Sequence, residues 1–160
     1  MLDARALARR VRGRGATLGL PFLALIIAGP ALADPCEAIP DRGPIPQEYR
    51  RGSFFAGEVV YVGDGDSLCV AVGAARSSWV EVRLADFDAP ELGEPGGRLA
   101  RSRLSDLAMG RRLECVAGRR SYDRVVATCA LGGVSLAAQM RARGFEEGGR
   151  GRRPRSLAAS

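Results

Sequence analysis

The chain has 160 residues, with 24 Lys and Arg against 18 Asp and Glu, no His and four Cys, and every basic residue is Arg. A chain of this length holds one domain. The missing His and Lys exclude a Ser-His triad, a His metal ligand and a Schiff-base lysine, and no Gly-x-Ser-x-Gly turn presents a nucleophile. What remains is carboxylate, arginine or thiol chemistry.

Residues 1–33 read as a secretory signal peptide. Arg5, Arg9, Arg10, Arg12 and Arg14 form a charged start, residues 18–27 an apolar run, and Ala31-Leu32-Ala33 a small-residue cleavage pattern. The run falls short of the about 20 apolar residues of a membrane span, so no stable span is expected after cleavage. Cleavage would leave 19 Arg against 17 acids. The whole-chain pI of about 9.9 is therefore a poor argument for nucleic-acid binding, and any electropositive footprint is local. The expected location is the periplasm or the medium.

Residues 34–53 carry Pro35, Pro40, Pro44 and Pro46 and read as an extended arm. Residues 54–62, rich in Val, Tyr and Phe, read as a strand. Residues 68–72 are its partner across the Asp64-Gly65 turn. Residues 79–85 alternate, with Val80, Val82 and Leu84 on one face and Glu81 and Arg83 on the other. Gly93, Gly96 and Gly97 mark a loop. Residues 98–108 form an amphipathic helix with Leu99, Leu104, Leu107 and Ala108 on one side, ended by Gly110. Residues 113–116 and 124–131 form a second hairpin. Ser135 caps a last helix over 136–143, which Gly144 ends. The Gly- and Arg-rich tail, 148–160, is expected to be disordered. Five short strands and two helices predict an α+β, mainly β fold: a small five-stranded barrel of OB type over residues 54–147.

Cys36, Cys69, Cys115 and Cys129 all follow the signal segment, and an even count in an exported chain reads as two disulfides. Three pairings are open. Cys115–Cys129 with Cys36–Cys69 is favoured, because the first two lie on opposite arms of one hairpin. Free buried thiols are the alternative, and a zinc site lacks both a close Cys pair and a His.

Asp64-Gly65-Asp66-Ser67 is a turn signal in its own right. Asp64 and Asp66 are also two apart on an extended chain and can face one cation. Asp88-Ala89-Pro90-Glu91 reads as a helix cap or as a cation ligand beside a carboxylate base, and the glycines that follow speak against a long helix there. Arg83 is either a surface ion-pair partner of Glu81 or Asp86, or half of a phosphate clamp. Tyr122 and Arg124 either share the face of an exposed turn or supply the other half.

In this order and spacing the three stretches resemble the thermonuclease, or staphylococcal nuclease-like, family. Its pattern is Asp-Gly-Asp-Thr/Ser, Val-Arg-Leu-x-x-x-Asp-x-Pro-Glu, then Tyr-Gly-Arg before an apolar strand. The resemblance covers roughly residues 54–144. It implies that Asp66, Asp88 and the Ala89 carbonyl ligate Ca²⁺, with Asp64 acting through a bound water. It implies that Glu91 activates the attacking water and that Arg83 and Arg124 stabilise the transition state, Arg124 also near the leaving oxygen. Tyr122 is then a substrate-phosphate contact. The implied activity cleaves the 5′ P–O bond of DNA or RNA with little sequence preference, in a monomer. The chain departs from the family in four ways. The loop between Glu91 and the helix is short. Asp123 stands where Gly is usual. Arg120 stands where an acid is usual. A Gly/Arg tail replaces the last helix and its base-stacking tyrosines. The alternative expectation is a catalytically weak nucleic-acid-binding module on the same fold.

Overall fold

A computed structural model describes residues 34–148. The expected signal peptide and nearly all of the tail lie outside these residues. Six strands and two helices follow one another as β1 (Phe54–Val62), β2 (Ser67–Ala71), β3 (Trp79–Leu84), α1 (Gly97–Ala108), β4 (Arg112–Ser121), β5 (Arg124–Leu131), β6 (Val134–Ser135) and α2 (Leu136–Ala142). No described helix is long and apolar enough to cross a membrane.

The sheet order is β3-β2-β1-β4-β5-β6, and a further β3–β5 pairing closes the first five strands into a barrel. That closing pair is parallel, with Val82 opposite Val125 and Leu84 opposite Ala127, whereas the other pairings are antiparallel. The result is the expected five-stranded, mainly β barrel of OB type. β6 adds only two residues beside β5, too few to give an alternating signal in the sequence. β4 runs to Ser121, past the expected end at residue 116, because its last residues pair across a register shift between Ala117 and Arg120.

Period-two burial follows from closure. Phe55, Val59, Val70, Val80, Val82, Leu84, Leu113, Cys115, Val125 and Ala127 point inward and are buried. Burying each such Leu, Val or Phe stabilises the fold by roughly 1.5–3 kcal/mol. Leu104, Leu107 and Ala108 of α1 and Leu136 and Met140 of α2 join this core. Leu99, expected on the apolar side of α1, is 54% exposed, and Ala100 takes its place inside. Ala100 lies close to the 64–66 turn, where a Cβ on Gly65 would stand 2.6 Å from the Ala100 Cβ. Ser135 caps α2 as expected, its Oγ accepting from Ala138 N at 3.2 Å.

Two disulfides cross-link the barrel, Cys36–Cys69 and Cys115–Cys129. The first holds the N-terminal arm on the outside of β2, where Glu37 and Ala38 N–H donate to the Trp79 carbonyl at 3.1 and 2.9 Å. Arg120 fastens the same arm further along. Its guanidinium donates to the carbonyls of Gly43, at 2.7 Å, and of Pro40.

Candidate active site

The 64–67 turn, the end of β3 and the loop after it meet at one rim of the barrel. Two glycines make the approach possible. A Cβ on Gly65 would stand 2.4 Å from the Ala89 Cβ and 2.6 Å from the Ala100 Cβ, and one on Gly97 would stand 1.9 Å from the Glu91 carbonyl oxygen. Phe87 is buried and packs edge-on to Phe145 with ring centroids 6.3 Å apart, which anchors the loop between Asp86 and Asp88.

Arg83 ties the turn to the loop. Its Nη1 donates to Asp66 Oδ1 and its Nη2 to Asp88 Oδ1 at 2.8 Å. One guanidinium therefore bridges the two carboxylates most suited to share a cation. Asp66 is 1% exposed, and its Oδ2 accepts from Ala89 N at 2.6 Å. Burial, aided by the nearby Asp64 carboxylate, pushes the Asp66 carboxyl up to about 7 against the opposing pull of the Ala89 N–H and Arg83. Asp64 faces inward on its own turn, its Oδ1 accepting from Asp66 N at 2.9 Å and Ser67 N at 2.7 Å. Burial acts to raise its pKa, but these hydrogen bonds outweigh burial and hold it below the ordinary carboxylate range. One carboxylate oxygen of Asp64 thus closes the turn.

Glu91, Arg124 and Tyr122 make other contacts. Glu91 is exposed, with its backbone N–H bound to Glu94 Oε2 at 3.1 Å. Arg124 starts β5, beside β3 at the parallel seam, and its charge acts on Glu81. Tyr122, 83% exposed, sits at the tip of the β4–β5 turn with φ +59°. Arg120 Nε donates to the Tyr122 carbonyl. The left-handed residue of this turn is Tyr122 and not Asp123, so Asp123 occupies its position without backbone strain.

Sequence reasoning missed Glu81, treated only as an ion-pair partner for Arg83. It adjoins Arg124, Asp123 and Asp34, and burial first and Asp34 second push its carboxyl up to about 8. The signal was available in part, since alternation already put Glu81 on the face of Arg83.

The donor set suits a hard cation. Asp66 Oδ1 and Asp88 Oδ1 both lie within reach of one cationic group, and the Ala89 carbonyl follows directly; all are oxygens, as Ca²⁺ requires. The one other cluster of possible ligands among the described residues, Asp34 with Cys36 and Cys69, has both sulfurs in a disulfide.

No protein-family model matches the chain. The micrococcal nuclease of Shigella flexneri is 45% identical to it over 70 residues, which cover 44% of this chain and 37% of that protein. Over that stretch the chain is similar to a micrococcal nuclease. The aligned stretch spans less than half of either protein, and the barrel and its loops carry all three stretches that first suggested the resemblance.

Proposed function

We propose that this thermonuclease-like protein is an exported, Ca²⁺-dependent nuclease that hydrolyses phosphodiester bonds of DNA or RNA with little sequence preference. The observation that carries this reading is the Arg83 bridge between Asp66 and Asp88. It gathers two carboxylates and a guanidinium at one point, the residue types that suit a hard cation and a phosphate. The two disulfides are compatible with export.

Asp66, Asp88 and the Ala89 carbonyl would hold Ca²⁺, with Asp64 keeping the turn in shape for them. A bound ion would supply Lewis-acid polarisation of a phosphoryl oxygen. Arg83 and Arg124 hold the phosphodiester and meet the negative charge that grows on its oxygens as water adds to phosphorus. Glu91 accepts the proton of that water. The P–O5′ bond breaks, and the leaving oxygen departs close to Arg124 and takes up a proton from solvent. Tyr122, exposed at its turn, contacts a neighbouring phosphate. A carboxylate base and two arginines complete this scheme without His or Lys.

A second reading is a nucleic-acid-binding module with little activity. It is favoured by Asp123, next to Arg124 in the chain, whose negative charge offsets the positive charge a transition state needs. The two separate in a DNA-degradation assay with Ca²⁺ and with chelator. Cleavage with Ca²⁺ that chelator abolishes supports the nuclease. Cleavage that survives chelation sinks the calcium mechanism, and binding without cleavage supports the module.

A further inference from the structure

A basic cleft beside the proposed site has no part in the chemistry above. It encloses about 740 Å³ between α1 and the loop that follows Glu91. Arg98, Arg101, Ser102 and Ser105 form one wall. The last three stand three, four and seven residues after Arg98, so all four share one face of the helix. Leu92 and Gly93 form the other wall, directly after Glu91. A Cβ at Gly93 would meet nothing within 4 Å, so that wall leaves open space. The helix face thus presents two guanidinium and two hydroxyl groups, all able to donate to an anion.

The cleft is tied to the proposed site at two points. Gly97, the first residue of α1, packs on the Glu91 carbonyl, where a Cβ would stand 1.9 Å from the oxygen. Arg101 Nε donates to the carbonyl of Val62, two residues before Asp64, at 3.0 Å. Its guanidinium lies 5.8 Å from the centre of the Tyr61 ring. These contacts hold the Arg101 fork in place and leave Nη1 and Nη2 for a ligand. Among the described residues the ion pairs are those of Arg83 and Arg141, not of Arg98 or Arg101.

We infer that this cleft is a phosphate subsite: Arg98 and Arg101, with the Ser102 and Ser105 hydroxyls, hold a backbone phosphate of the nucleic-acid strand next to the scissile one. The scissile phosphate comes from the nuclease reading, on which the inference rests; the donor set of the cleft stands without it. Two guanidinium forks and two hydroxyls around one anion suit the several oxygens of a phosphodiester. Leu92 and Gly93 offer no polar side chain to read a base edge, so the subsite positions the strand without selecting its sequence. Asp106 lines the end of the cleft away from Glu91. It stands about 7 Å along the helix axis beyond Arg101, and its charge repels a second phosphate there.

The test compares two substrates with Ca²⁺ present. A dinucleoside monophosphate has only the scissile phosphate and leaves the cleft empty, whereas a ten-nucleotide single-stranded DNA fills both places. Arg98→Ala with Arg101→Ala is expected to raise KM for the longer DNA about tenfold relative to KM for the dinucleoside. Arg98→Ala alone, at an exposed position, moves the ratio the same way by less, and Asp106→Asn moves it the opposite way. Binding of the ten-nucleotide DNA is also followed by fluorescence anisotropy in chelator over a range of salt. There the double variant lowers the slope of log Kd against log salt by about 0.7, the loss of one phosphate contact. A double variant that keeps either the wild-type KM ratio or the wild-type slope overturns the inference and leaves the nuclease reading intact. If the wild type cleaves neither substrate, the nuclease reading falls and the salt slope alone decides the cleft: the expected drop upholds it, and an unchanged slope or no binding overturns it.

Discussion

Arg83 is the residue on which the site turns. Lysine keeps its charge but offers a single ammonium where a planar fork now meets two carboxylates. Arg83→Lys and Arg83→Ala are both expected to lower kcat by about 10²–10³, the usual effect of removing one preorganised donor. A rate within twofold of wild type for either variant would remove Arg83 from the chemistry. Glu81 makes a separate prediction for stability. Its carboxyl group rises from 4.5 to about 8 on folding, so the folded chain binds that proton more tightly than the unfolded chain. The stabilisation is fully present below about pH 4.5 and is lost as pH rises through about 8. With chelator present, the melting temperature is expected to decline across that window, and Glu81→Gln to flatten the decline. An unchanged slope in the variant would assign the effect elsewhere.

At the scale of elements, the site exists because α1 and the turn before β2 press on the loop after β3. Gly65→Ala would drive a methyl group to 2.4 Å from the Ala89 Cβ and 2.6 Å from the Ala100 Cβ. Such overpacking typically costs about 1–3 kcal/mol, and Asp66 stands one residue away. The expected outcome is a urea midpoint lowered accordingly together with weaker Ca²⁺ binding; a variant as stable as wild type would mean that the contact relaxes freely. The five barrel strands and both helices could be read from alternation, capping and glycines, because each obeys its local period. The extension of β4 could not, since its pairing depends on a register shift set by β5. Neither could the exposure of Leu99, which follows from how closely the helix is drawn in. Asp66, Arg83 and Asp88 could be anticipated from spacing because one strand and one turn bring them together. The neighbourhood of Arg124 could not, because it arises at the parallel β3–β5 seam and from an arm tethered by Cys36. Arg120, a departure from the family pattern in sequence, acts in the fold as a fastener for that arm.

For the whole molecule, the disulfides and the cation both act on the folded-unfolded balance. Each disulfide removes about 3–4 kcal/mol of unfolded-chain freedom. Reduction should therefore lower the melting temperature, and Cys36→Ser with Cys69→Ser should also free the arm to proteolysis near residue 40, while loss of the Cys115–Cys129 bridge leaves the arm protected. Calcium adds to stability only through the native state, by about 2.7 kcal/mol at a hundredfold excess over its dissociation constant. The buried Asp66 makes that gain depend on pH. Without metal its carboxyl group holds a proton up to about pH 7, and a ligand oxygen must give that proton up before it binds a cation. Apparent Ca²⁺ affinity is therefore expected to be level above pH 8 and to fall by as much as about tenfold per unit as the solution is acidified below 7. Thermal shift against Ca²⁺ at pH 8 and pH 6 checks this. Asp88→Asn should weaken the shift at both pH values by removing a ligand, whereas Asp66→Asn should weaken it and also erase the difference between them. Equal affinity at the two pH values in the wild type would mean that Asp66 is not a ligand, leaving Asp88 and the Ala89 carbonyl without the partner that the Arg83 bridge brings beside them.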